Sequence, residues 1–177
     1  MRLEPLRPED SGWALALYEE AFPEWERVSP AKLASYLGRG SAEALAIAGD
    51  EGPVGFMYVV PGDDLVFLQY LAVSASRRGQ GVGTEAVRLL LERHAGKRVF
   101  LNVEPPDEGC PNMSQRLARM RFYSRLGFEP AGRLRCAEGD FVTLVRGGPL
   151  DPGELGRFRR EHDFTALFDG DAVLGPL

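Results

Sequence analysis

Leu71-Ala72-Val73-Ser74-Ala75-Ser76-Arg77-Arg78-Gly79-Gln80-Gly81-Val82-Gly83-Thr84 is the stretch on which the reading of this sequence turns. It closes an apolar run of strand character, Leu65–Val73, and enters a polar, basic, glycine-rich turn. Beyond the turn, Val82, Ala86, Val87, Leu90 and Leu91 recur at helical spacing as far as Gly96, a natural helix stop. Glycines in such a turn leave backbone N–H groups uncovered, and the helix that follows adds partial positive charge at its N-terminus. With Arg77 and Arg78 alongside, the segment calls for a phosphorylated ligand. Two adjacent arginines in a tight turn repel unless an anion compensates them, which disfavours a glycine turn without a ligand.

Working outward, Ala42–Ala48, Val54–Val60 and Leu65–Val73 read as an antiparallel meander. Their connections, Gly49-Asp50-Glu51-Gly52 and Pro61-Gly62-Asp63-Asp64, are too short for a parallel crossover. Downstream, Arg98–Val103 is a strand, so strand, glycine loop, helix and strand form a crossover unit. A helix over Ser114–Leu126 stops at Gly127, and strands follow near Phe128–Cys136 and Phe141–Arg146. The N-terminal part reads as a strand, Arg2–Arg7, and a helix, Glu9–Phe22, capped by Asp10 or Ser11. A second helix opens at Ser29-Pro30 and ends near Gly38. The expected fold is mixed α/β (α+β): a mostly antiparallel sheet with a central parallel crossover and helices on both faces. Residues 1–148 form one domain in this reading. Residues 149–177 form a helical tail packing on it, with one helix near Asp151–His162 and a weakly patterned end.

Three kinds of phosphate loop compete. A Walker loop needs a lysine and then Ser or Thr after its last glycine, but Thr84-Glu85 follows Gly83. The dinucleotide fingerprint needs a third glycine where Thr84 stands, and an antiparallel meander is foreign to a doubly wound sheet. Arg78-Gly79-Gln80-Gly81-Val82-Gly83 resembles the pyrophosphate loop of the GNAT acyltransferases, (Q/R)-x-x-G-x-(G/A), and Leu71-Ala72-Val73 resembles the strand end before it. A second block, Arg121-Phe122-Tyr123-Ser124-Arg125-Leu126-Gly127-Phe128, resembles the same superfamily's F-Y pair shortly before G-F. Together the blocks cover roughly Leu65 to Arg146.

The resemblance implies acetyl-CoA as acyl donor and an amine as acceptor. It places Arg78, Gly79, Gln80, Gly81, Val82, Gly83 and Thr84 on the diphosphate, and the backbone of Leu71, Ala72 and Val73 on the pantetheine arm and thioester oxygen. It makes Tyr123 the general acid, since a phenol with an ordinary pKa near 10 stays protonated at neutral pH and can donate to the leaving sulfur. The competing reading of Tyr123 is a core aromatic. No base stands on the strand before the loop, where Phe67 and Gln69 hold the alternating positions. Glu104 is the best remaining carboxylate; it is either a base acting through water or a residue that binds a cation or caps its loop. Trp25, Glu26 and Gln69 are the candidate acceptor-side residues, with Trp25 open to either cleft or packing. The superfamily's Asn seven residues before the tyrosine is replaced here by Arg116.

Composition sets the outer limits. At 177 residues, 44% hydrophobic and 27% charged, the chain suits a single globular domain. A formal charge of −5 argues against a nucleic-acid partner. Cys110 and Cys136 match no zinc spacing and read as free thiols, no metal is expected, and both histidines read as structural or solvent-exposed rather than catalytic. No stretch has the length and apolarity of a membrane helix or a signal peptide, so no membrane partner and a cytoplasmic location are the expectations. A monomer or a homodimer is equally compatible. Apart from an enzyme, the same pocket would serve a non-catalytic acyl-CoA sensor, or a structural protein with a degenerate site.

Overall fold

The computed structural model describes residues 1–107, 109–136, 139–162 and 173–175. The chain divides into two compact units, residues 1–61 with 66–95, and residues 62–65 with 96–177.

The first unit contains β1 (Arg2–Pro5), α1 (Ser11–Ala21), α2 (Pro30–Gly38), β2 (Glu43–Gly49), β3 (Gly52–Pro61), nearly all of β4 (Leu65–Val73) and α3 (Val82–Arg93). Its strands lie in the order β1-β2-β3-β4, each antiparallel to the next. The expected meander is therefore present, and the N-terminal strand extends it. Ile47, Met57, Val59 and Val66 are fully buried, as are Ala86, Val87 and Leu90 from one face of α3. Apart from Ala86, whose methyl contributes less, each of these side chains removed from water contributes about 1.5–3 kcal/mol before conformational entropy is charged. β4 carries one extra residue against β3: Tyr58 faces Tyr70, but Val59 faces Leu68, so Gln69 is the bulge. A bulge kinks its strand and re-aims the side chains beside it.

The second unit contains β5 (Arg98–Val103), α4 (Met113–Arg125), β6 (Glu129–Cys136), β7 (Gly139–Arg146), α5 (Pro152–Glu161) and β8 (Val173–Gly175). Its strands lie in the order β5-β7-β6-β8, again all antiparallel. α5 is opened by a reciprocal cap: the Asp151 carboxylate accepts from the N–H groups of Gly153 and Glu154, and the Glu154 carboxylate accepts from the Asp151 N–H. Its Phe158 meets Phe100 of β5 edge to face at 5.3 Å and lies over Gly62, where a Cβ would stand 2.7 Å from the ring. Glu154 also takes both guanidinium nitrogens of Arg98, at 2.8 and 2.9 Å.

Three local expectations need correction. Asp10 stands at the N-cap of α1 but makes no capping bond, because its carboxylate is engaged by Arg7 at 2.8 Å. Ser29 precedes Pro30 as expected, yet its hydroxyl does not cap α2 either. The weakly patterned C-terminal end includes β8, which pairs with β6 through Arg133–Gly175 and Arg135–Val173. The rest of that end falls outside the described residues.

Candidate functional site

In the first unit, β4 ends at Val73, a 3-10 turn covers Ala75–Arg77, and α3 starts at Val82. Gly79 and Gly81 both have positive φ, +74° and +82°, a region that costs other residues about 1–2 kcal/mol. A Cβ on either glycine would meet no atom within 4 Å. Gly81 is the N-cap of α3, with the first helical bond running from the Glu85 N–H to its carbonyl at 3.0 Å, and no side chain caps the helix. Helix geometry therefore leaves the N–H groups of Val82, Gly83 and Thr84 without intrahelical acceptors. With the macrodipole behind them, such amides are the donors that helix N-termini offer to an anion.

The loop's side chains work on its carbonyls instead. Gln80 donates to the Ser76 carbonyl at 2.9 Å, and Arg78 Nε donates to the Val73 carbonyl at 2.9 Å. The expectation that the two arginines require an external anion is corrected: Arg77 pairs with Glu51 at 3.0 Å and Arg78 with Glu20 at 3.2 Å. Neither glutamate carried a signal in the sequence, because each reaches the loop from a distant segment. Both pairs are solvent-exposed, so each is worth at most about 1 kcal/mol and yields readily to a stronger anion. At the end of β4, Ala72 is buried, while Leu71 and Val73 are half-buried. Gly55 on β3 presses on this strand end, since a Cβ there would lie 2.5 Å from the Ala72 carbonyl.

Of the acceptor-side candidates, Gln69 is the β4 bulge, and its Oε1 is buried. Glu26 ends a 3-10 turn, Glu24–Glu26, and its carbonyl accepts from the Tyr70 hydroxyl at 2.8 Å. Trp25 on that turn is 50% exposed. Tyr70 immediately follows Gln69, so the turn and the bulge meet through one phenol.

In the second unit, Tyr123 sits near the end of α4 with 8% of its surface exposed. Phe122 and Phe128 meet its ring edge to face at 4.8 and 5.5 Å. Burial pushes its hydroxyl up to about 12, against a smaller lowering influence from Arg119. A phenol so placed stays protonated far above neutral pH.

Glu104, just past β5, is buried and carries two guanidinium partners, Arg116 and, at 3.6 Å, Arg119. Arg116 also donates to the Pro105 carbonyl at 3.0 Å and to Asn112 Oδ1 at 2.9 Å. It thus ties the start of the loop after β5 to its end. Arg119, recognised by no sequence pattern, is the neighbour that Glu104 and Tyr123 share. Cys110 is a free thiol, and the side chain of Cys136 lies outside those described. Among the described residues no group of three or more His, Cys, Asp or Glu side chains could hold a metal. Among them, too, no helix is long and apolar enough to cross a membrane.

Comparison with known proteins bears on this arrangement. The model of the acetyltransferase (GNAT) family matches residues 13–128. A Bacillus subtilis (strain 168) relative, YjbC, is 37% identical over 82 residues, covering 46% of this chain and 40% of the relative. Less than half of that relative's length is therefore spanned. A GNAT-family structure from Bacteroides thetaiotaomicron superposes with a TM-score of 0.75 at 23% identity, covering 97% of this chain and 100% of that one. An aminoglycoside 6'-N-acetyltransferase solved with coenzyme A gives 0.65 at 20% identity over 85% of this chain and 100% of its own. The ribosomal-protein-S18-alanine N-acetyltransferase of Escherichia coli gives 0.63 at 20% identity, covering 84% and 94%. At these identities the structural likeness carries the fold.

Proposed function

The chain belongs to the GNAT acetyltransferase family, and from that premise we propose that it moves an acetyl group from acetyl-CoA to a primary amine by direct attack. The observation that carries the proposal is the uncapped row of amides at the start of α3, entered through two positive-φ glycines that follow the turn after β4. In this reading the N–H groups from Gly79 to Thr84 hold the diphosphate, and the backbone of Leu71, Ala72 and Val73 receives the pantetheine arm. Val73 contributes its N–H rather than its carbonyl, which Arg78 already occupies. Arg77 and Arg78 exchange exposed glutamates for phosphate oxygens. No metal takes part.

Tyr123 is the general acid. The neutral amine attacks the thioester carbonyl carbon, the carbon–sulfur bond breaks, and the phenol's proton goes to the departing sulfur. Its elevated pKa keeps that proton available across the pH range in which amines are deprotonated. The double pairing of Glu104 favours its anchoring role over that of a base, so the proton released by the amine passes to solvent. Trp25, Glu26 and Gln69 line the acceptor side.

Thiol release from acetyl-CoA with a panel of amines, in the wild type and Tyr123→Phe, tests the assignment. Amine-dependent release that falls about a hundredfold in the variant while acetyl-CoA binding persists is the expected result. Tight binding with no turnover across a broad panel supports instead a non-catalytic acyl-CoA sensor, and failure to bind acetyl-CoA refutes both.

A further inference from the structure

Three tyrosine hydroxyls converge on one short run of backbone in the first unit. Tyr70 of β4 donates to the Glu26 carbonyl at 2.8 Å and accepts from the Val28 N–H at 3.2 Å. Tyr18 of α1 donates to the Val28 carbonyl at 3.0 Å. Tyr58 of β3 donates to the Leu33 carbonyl at 3.0 Å, one turn into α2. The three phenols come from three different elements, and each is 3–5% exposed. Tyr18 meets Tyr70 edge to face at 4.9 Å, and Phe22 meets it at 4.8 Å. The bulge at Gln69 sets the register that puts Tyr70 opposite Tyr58.

Core packing alone does not account for this. Phenylalanine would fill the same volume, whereas a buried hydroxyl is tolerated only when it is bonded. Here the Tyr18 and Tyr70 bonds go to the connection between α1 and α2, whose Trp25 remains half in solvent, and the Tyr58 bond goes to the first turn of α2 that follows it. Connections of this kind are ordinarily the freest part of a fold. A binding wall, by contrast, must be held by the rigid elements behind it, or ordering it costs affinity when the ligand arrives.

We propose that Tyr70 and Tyr18, with Tyr58 steadying α2, are positioning residues that fix the Glu24–Val28 segment as a preset wall for the acyl acceptor, with Trp25 the side chain that touches it. The proposal rests on the acyltransferase reading for the identity of the ligand, but the clamp itself is measurable without turnover. Removing the Tyr70 hydroxyl leaves the Val28 N–H and the Glu26 carbonyl without that partner. Segment opening then rises roughly tenfold, and more when Tyr18 is changed as well.

The test uses the full chain as Tyr70→Phe, Tyr18→Phe and the double variant. Tryptic cleavage between Arg27 and Val28 is followed by mass spectrometry. In parallel, the fluorescence anisotropy of Trp25 is recorded in a Trp13→Phe background, where it is the remaining tryptophan. The expected result is cleavage about tenfold faster in the single variants and faster still in the double, with lower anisotropy. The KM for the amine should rise about five- to tenfold, with kcat and acetyl-CoA affinity within about twofold of wild type. Trp25→Ala should raise the same KM without accelerating cleavage. Unchanged cleavage and anisotropy in the double variant overturn the clamp. Faster cleavage with an unaltered amine KM overturns the acceptor wall. A wild type that binds acetyl-CoA but acetylates no amine refutes the acyltransfer reading and the wall together, while the cleavage ratio still decides the clamp.

Discussion

Gly81→Ala separates the two things a loop glycine does, because a matched position exists at the other end of the same helix. Gly81 precedes α3 with φ +82°, and Gly96 follows it with φ +86°. Around both, an added Cβ would find no atom within 4 Å. Each alanine variant therefore carries only the cost of a left-handed residue, about 1–2 kcal/mol. For a chain of this size that is a Tm lower by roughly 2–8 °C, similar in the two variants. Ligand binding should split them. At Gly81 the new methyl group stands beside the open amides of Val82, Gly83 and Thr84, where a phosphate oxygen needs to approach closely. At Gly96 it stands beside none. The affinity for acetyl-CoA should fall at least about tenfold in Gly81→Ala, equivalent to about 1.4 kcal/mol, and stay within about twofold in Gly96→Ala. Differential scanning fluorimetry gives the first quantity and titration calorimetry the second. Equal acetyl-CoA affinities in the two variants, at matched loss of Tm, would refute the assignment of the diphosphate to this loop.

Three further outcomes follow from the second unit. Because burial raises Tyr123 to about 12, its deprotonation should produce no fall in kcat below about pH 11; a falling limb near pH 9 that disappears in Tyr123→Phe would contradict this. Glu154 is held down to about 2 by Arg98 and the Asp151 N–H, so its stabilising contribution is complete above its ordinary value of 4.5 and is lost as pH falls toward 2. Glu154→Gln should therefore lower the Tm at pH 7, and the gap from wild type should narrow between pH 4.5 and 2 in thermal melts. Arg116→Met removes one of the two guanidinium partners of the buried Glu104 and frees the Pro105 carbonyl; denaturant titration should show a loss of about 3–5 kcal/mol.

What could be read beforehand was whatever depends on neighbours in the chain. The extent of β4, Leu65–Val73, and of β5, Arg98–Val103, follows from apolar runs bounded by turn residues. The start of α3 follows from glycines that end one pattern before a helical one begins. Contacts closed over long separations left no mark. Glu20 and Glu51, which pair with the loop's arginines from 58 and 26 residues away, look like any surface glutamate. Tyr18, Tyr58 and Tyr70 read simply as apolar members of a helix and two strands, because their hydroxyl partners are set by tertiary packing. The bulge at Gln69 was equally hidden, since an inserted residue in an apolar run leaves its composition unchanged. β8 was missed because three residues are too few for any period to show.

The pairing of Arg77 and Arg78 with Glu51 and Glu20 changes which atoms the site depends on. Had the guanidinium groups been bare, they would have been the natural grip for a diphosphate, and the glycines mere hinges. With exposed carboxylates already beside them, the arginines gain from a phosphate only the difference between two anions, and in water that difference is small. The amides of Val82, Gly83 and Thr84 have no such competitor, because the helix that begins there supplies no intrahelical acceptor and no side chain caps it. Their gain on binding is the whole of a hydrogen bond set against water, and it comes with the helix dipole aligned behind them. Specific recognition in this loop therefore rests on its backbone, and the two positive-φ glycines that present that backbone are the residues it can least exchange.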